Sequence, residues 1–247
     1  MTEVALGVLL VLPMACQLGF WLGRRARDDE LERSRAANWQ NALLALAGLL
    51  IGFTFSMAQT RFDARKKLLL VEANAIGTTY LRTRVLEPAS GDEVRSLLRQ
   101  YVDVRLAFAN AGAGRARVEA ILRRSSELEN QIWARVAAAG RGDDRSVMNG
   151  LLMQATNEMF DDAAAHVAAV DSPLPATVFV VLLLATAAAM AAVGFACGLE
   201  KRPSVHGMFV MPLLLATVIL LVFDLAHPRL GILRVKDPPL IRLKQSL

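Results

Sequence analysis

Phe53, Ser56, Thr60 and Asp63 recur at intervals of three and four residues, which sets them near one line of a helix. An aromatic constriction followed by hydroxyls and a carboxylate is chemistry that can gate and pass inorganic ions. The same spacing suits an ordinary packed face, and both readings stand. Close by are Arg61, Arg65, Glu72, Asn74, Thr78 and Arg82, with Glu158 and Asp224 further along the chain. Guanidinium, amide and carboxylate groups in such numbers build paired polar networks, which are stable in a buried setting only when every charge has a partner.

Other chemistry is poorly supplied. The chain has no GxSxG elbow and no GxxxxGK phosphate loop, and Gly112-Ala113-Gly114 follows a helical pattern rather than a strand. The sequence therefore predicts no enzyme, no catalytic residue and no cofactor. Cys16 and Cys197 fall inside apolar runs, and His166, His206 and His227 have no ligand spacing, so no metal site is expected. Asp143-Asp144 and Asp161-Asp162 read as solvated charge rather than acid and base.

The elements that must position these residues follow from composition. Of 247 residues, 54% are hydrophobic and only 6% aromatic, against about 45 to 50% apolar usage in soluble domains. Four apolar runs, residues 4–22, 42–58, 176–199 and 207–225, each approach the length of about 20 residues that crosses a bilayer as a helix. Met-Thr-Glu precedes the first run without a Lys or Arg, so it reads as a retained helix, kinked at Pro13, rather than a signal peptide. In the second run Gly48, Gly52 and Ser56 share a face, and Gly194 and Gly198 do so in the third. Small residues at that spacing let another helix approach closely, so packing is the first reading of these glycines and pore lining the second.

An even number of spans puts both ends of the chain and residues 59–175 on one side. The sequence thus predicts an all-α integral membrane protein, four transmembrane helices with a helical-bundle extramembrane domain between the second and third. Its parts are 1–58, the first two spans with a charged loop; 59–175, the helical domain; 176–226, the last two spans; and 227–247, a basic tail. Residues 59–176 carry 16 basic against 15 acidic side chains, so the net charge of +5 is concentrated in the tail. That distribution fits a membrane surface and not a nucleic acid.

Within the domain, Phe62, Leu69, Ala73, Ile76 and Tyr80 approximate a stripe that prolongs the second span. Ser90 with Glu93 suggests a capping box, followed by Val94, Leu98, Tyr101 and Phe108 at helical spacing. Gly112 and Gly114 break that helix, Gly140 to Gly142 close the next, and a last one runs from about Ser146 towards Pro173. The second and fourth spans run in the same direction, so Asp224 is expected at the depth of Arg61 and Arg65, as an interfacial salt bridge or part of a gate. Glu158 lies about 15 residues before Pro173 and Asn74 about 16 after Ala58, a similar height of roughly 23 Å at 1.5 Å per residue. A coupled network of Arg61, Arg65, Glu72, Asn74, Arg82, Glu158 and Asp224 is the expectation.

Gly52-Phe53-Thr54-Phe55-Ser56, Arg61-Phe62-Asp63-Ala64-Arg65 and the run from Glu72 to Arg82 together resemble the bacterial bestrophin-like domain family. Tyr101-Val102-Asp103-Val104-Arg105, Asn157-Glu158-Met159 and the segment from Asp224 to Gly231 fit it as well, so the likeness covers about residues 42 to 235. Ala226-His227 departs from the more strongly charged pair that the resemblance leads one to expect before Pro-Arg. The family has no assigned activity; its name implies a distant likeness to bestrophins, which are oligomeric anion channels with four spans and a helical cytosolic part. The resemblance therefore implies a homo-oligomeric channel or pore for inorganic ions in a bacterial plasma (inner) membrane. A non-conducting adaptor or sensor acting through the helical domain is the alternative. Basic residues near the spans are evenly divided between the two sides, seven each, so the expected cytoplasmic position of the domain comes from the resemblance alone.

Overall fold

A computed structural model describes residues 2–26, 29–139, 146–200, 206–229 and 238–247. Gly140 to Gly142, Asp143-Asp144 and residues 230–237 of the basic tail, Gly231 among them, lie outside the described residues. The described chain forms α1 (Thr2–Arg25), α2 (Glu30–Arg82), a 3-10 turn (Thr83–Val85), α3 (Pro88–Ala109), α4 (Arg115–Ala139), α5 (Ser146–Val170), α6 (Ala176–Leu199), a π turn (His206–Val210), α7 (Met211–Ala226) and α8 (Pro238–Ser246). There is no strand among the described residues. Four helices are long and apolar enough to cross a membrane.

The chain divides into two compact units. The first comprises Met1–Arg61 with Pro173–His227. Val8, Leu12, Cys16 and Phe20 recur every four residues on α1 and bury one stripe against Leu182, Met190 and Val193 of α6 and Ile219 of α7. The opposite faces are equally apolar but open: Leu10, Met14 and Leu18 on α1, Leu184 on α6 and Leu213 on α7 are each more than half exposed. Apolar surface of that extent, outside a filled core, is what lipid covers. α1 continues through Pro13. Asp29 caps α2, its carboxylate accepting a hydrogen bond from the Glu32 backbone N–H at 2.8 Å.

Gly194 and Gly198 fix the tightest contact in this unit. A Cβ on Gly194 would lie 1.9 Å from the Cys16 carbonyl oxygen, and one on Gly198 2.3 Å from that of Phe20. The relation is reciprocal: a Cβ on Gly19 would meet Ala191 O at 1.9 Å, and one on Gly23 Phe195 O at 2.2 Å. The pairs advance together along both helices, so α1 and α6 run parallel with backbones touching. Gly48 and Gly52 behave differently, with nothing within 4 Å of the Cβ position.

The second unit comprises Phe62–Ser172 and α8. Leu69, Ala73 and Ile76 of α2, Leu98 and Tyr101 of α3, Leu128 and Ile132 of α4, and Leu152 and Met159 of α5 form one core. The spacing at three and four residues on every helix is what makes a bundle. α2 and α5 are antiparallel: the Thr79 hydroxyl donates to Ala155 O at 3.0 Å and Arg82 to Leu151 O at 2.6 Å.

Two local expectations need correction. Ser90 and Glu93 do not form a capping box, because α3 starts at Pro88 with Glu87 at the N-cap and no side-chain cap bond; Pro at the first helical position is already set for the helix and has no N–H to satisfy. Pro238–Ser246, for which no helix was expected within the basic tail, form α8. Leu240 is fully buried in the bundle core, Lys244 pairs with Asp103 at 2.6 Å, and Tyr80 and Arg99 both donate to Leu247 O, at 2.8 and 2.7 Å.

Candidate functional site

The membrane half of α2 carries the first candidate. Thr54 faces inward and returns its hydroxyl to Leu50 O at 2.7 Å. Phe53 is 61% exposed, and Ser56 and Thr60 are exposed with it. Thr60 donates to Ser56 O at 2.8 Å, one turn back. Gly48 and Gly52 share that face, so within one chain it has no covering helix. Gly194 and Gly198 are not part of any such open face, since α1 occupies theirs. Arg61 closes the first unit by donating to Pro173 O at 3.4 Å, and Asp224, near the end of α7, is buried in the same unit.

In the second unit Asp63 is exposed and Arg65 buried. Glu72 is fully buried and is the centre of an ionic cluster. One carboxylate oxygen accepts a hydrogen bond from Arg105 Nε; the other lies 2.6 Å from His166 Nδ1. An ionised carboxylate has only acceptors, so Nδ1 carries the proton in this contact. Arg105, 2% exposed, also reaches Ala163 O at 3.4 Å and lies 4.8 Å from the centre of the Phe108 ring, against whose edge His166 packs. Burial alone would raise the Glu72 pKa, but the His166 hydrogen bond and the Arg105 charge together hold it below the usual carboxylate value. Burial would likewise lower Arg105, and Glu72 more than reverses that. Desolvation first, then Glu129 and Glu72, raise Tyr101 against the opposing Arg105 charge; its hydroxyl donates to Glu129 at 2.9 Å.

Asn74 and Glu158 do not meet. The α2–α5 register puts them within a turn of the same height, but both are on outward faces. Glu158 is exposed and accepts from Gln154 at 2.8 Å, while Asn74 and Thr78 are exposed beside α8, in a groove with Arg242 and Ser246. Arg82 binds a backbone carbonyl of α5 rather than a carboxylate. The proposed centre of the network is thus replaced by Glu72, Arg105 and His166. The missed partners had a signal: Arg105 continues the buried series Val94, Leu98, Tyr101, and His166 the series Leu152, Ala155, Met159, Ala163, so each is an ionisable residue at a core position. Among the described residues no His, Cys, Asp or Glu cluster could hold a metal ion.

Four apolar spans and a bundle bound by a buried ion cluster define a polytopic all-helical membrane protein. A family model described as the bestrophin-like domain matches residues 13–240. The chain belongs to the bestrophin-like domain family. Among solved structures, a single-substitution variant of a bacterial bestrophin homologue from Klebsiella pneumoniae matches with a TM-score of 0.64 at 16% identity, covering 97% of this chain and 94% of that one. A protein described as a membrane protein matches with a TM-score of 0.65 at 14% identity, covering 98% and 95%. At these identities the likeness is one of fold. No curated protein is similar to this chain in sequence.

Proposed function

We propose that the protein is a homo-oligomeric ion channel of a bacterial inner membrane, with its path along α2 and its helical domain in the cytoplasm. One observation carries this reading: a membrane-crossing helix exposes Ser56 and Thr60, with Phe53, on the face that Gly48 and Gly52 leave open. Hydroxyls facing hydrocarbon gain nothing, whereas copies of the chain arranged about an axis would turn them to a water-filled path with Phe53 at its narrow point and Asp63 at its exit. Among the described residues the first unit's interior is packed by apolar side chains, which favours a path between copies over one through a single chain. Membership of the bestrophin-like family supports the same reading, since bestrophins are oligomeric anion channels.

Purified protein fused into planar bilayers tests it. The expected result is reproducible single-channel current whose amplitude rises in Phe53→Ala, where the constriction is removed. Silent bilayers containing inserted protein, together with a stoichiometric co-purifying partner, would replace the channel by a non-conducting adaptor or sensor.

A further inference from the structure

Within the helical domain, α2 keeps an exposed stripe: Leu70, Asn74, Thr78 and Leu81 are open to solvent at intervals of three and four residues. A different helix stands on each side of it. Gly77 and Tyr80 face α8, since a Cβ on Gly77 would lie 3.3 Å from Leu243 and the Tyr80 hydroxyl donates to Leu247 O. Thr79 and Arg82 face α5, through Ala155 O and Leu151 O. Residues two apart on a helix point about 200° apart, so α8 and α5 hold opposite flanks of α2. The α8 flank is a groove, with Leu70 to Leu81 of α2 on one wall and Pro239, Arg242, Leu243 and Ser246 on the other.

The two flanks are complementary at equal heights. α8 advances with α2, Leu243 beside Gly77 and Leu247 beside Tyr80, so Arg242 stands level with about Ile76. α5 runs the other way, and counting from Ala155 opposite Thr79 puts Glu158 level with about Ile76 and Asp161 with about Ala73. Both carboxylates are exposed, and among the described residues each is bonded to a neutral amide, Gln154 or Asn157. Asp162 beside them is held above the usual carboxylate value, by burial first and then by Glu158, Asp161 and Glu72. Arg242 is exposed, with no acidic partner among the described residues. Nearer the end of α2, Leu81 is exposed at the groove, and Leu151 is exposed on α5 at the level of Arg82. One flank thus offers a cation and then a leucine, the other carboxylates and then a leucine, in the same order. Rotation about an axis along α2 preserves height, so it carries the α5 flank of one copy to the α8 flank of the next, and repeated rotation closes a ring. We infer that copies of the chain dock head to tail through their helical domains, Glu158 and Asp161 of one copy against Arg242 of the next, and Leu151 against Leu81 in the α2–α8 groove. This interface rests on the homo-oligomeric reading above and gives it its contact surfaces. The exposed charges fix register and orientation, and the leucines supply the apolar contact.

Disulfide trapping in the full-length protein is the test. Chains carrying Leu81→Cys and chains carrying Leu151→Cys, told apart by tags, are co-expressed, purified in mild detergent and oxidised with copper phenanthroline beside wild type. A covalent dimer with one chain of each variant should form, while each variant expressed alone, like wild type, runs as a monomer on a denaturing gel. Arg242→Glu sets like charges face to face and should raise the subunit dissociation constant about tenfold; adding Glu158→Arg should restore most of that loss. Light scattering separates this interface from the reading beneath it. An oligomer without the mixed disulfide, or with disulfides only within single variants, would overturn head-to-tail docking and leave assembly to the spans. A monomer would overturn the oligomer and the interface together. A dissociation constant of Arg242→Glu equal to that of wild type would overturn the ion pairing.

Discussion

Glu72 gathers in one side chain most of what the buried cluster does. Its two oxygens are both committed, one to Arg105 and one to His166, and removing its charge leaves a guanidinium buried without a counter-ion. Glu72→Gln should cost about 3 to 5 kcal/mol, which at roughly 2 to 4 °C per kcal/mol for a chain of this size is a clear drop in the thermal midpoint in detergent. The pH dependence has a definite sign. Because the folded-state pKa of Glu72 is depressed, the unfolded chain binds its proton more readily. The stabilisation is then complete above the unfolded Glu value of about 4.3 and lost as pH falls through the lower folded value. Midpoints measured between about pH 6 and pH 3 should fall more steeply in wild type than in Glu72→Gln; parallel curves would show that the cluster does not govern acid stability. Glu72 was visible in the sequence as a polar residue on a helical extension, but its partners were sought at the wrong places. Chain counting gives the height of a residue on a helix and not its azimuth, so Asn74 and Glu158 came out level while facing away. The charged members that do meet are those interrupting an apolar stripe.

Two pairs of glycines with the same spacing have opposite surroundings. Gly194→Leu must push side-chain atoms into the α1 backbone, where overpacking costs about 1 to 3 kcal/mol even for softer neighbours, and should make the membrane unit sensitive to protease in detergent. Gly52→Leu meets nothing within its own chain, so protease resistance should match wild type while the oligomer mass falls, if α2 is the face on which copies assemble. An unchanged mass, read by light scattering, would take α2 out of the interface. The sequence marked all four glycines by their spacing alike; which of them another span covers depends on tertiary pairing, and Gly19 and Gly23, the other half of the α1–α6 contact, went unremarked. α8 was missed for a related reason. Its nine residues are too few to stand alone as a helix, and their apolar members Leu240 and Leu243 acquire a role only in contact with the bundle.

At the scale of the molecule, the four spans and the all-helical class were legible because lipid demands long apolar runs with every backbone group bonded internally. Sidedness was not, since the charges that orient a membrane protein are balanced here. Cysteines introduced at Ser34 and at Ala89, both exposed, should answer differently to an impermeant maleimide on intact cells: labelling of the first and protection of the second is the expected outcome, and the reverse would put the helical domain outside. The α1–α6 contact also sets a clock for synthesis. Gly19 and Gly194 are separated by 175 residues, which at about 5 to 20 residues per second is on the order of ten to thirty-five seconds of translation. During that interval the entire intervening domain emerges while α1 waits in the bilayer with its glycine face bare. Whatever else the nascent chain meets, it has to keep that face from pairing with a foreign helix until the ribosome delivers α6.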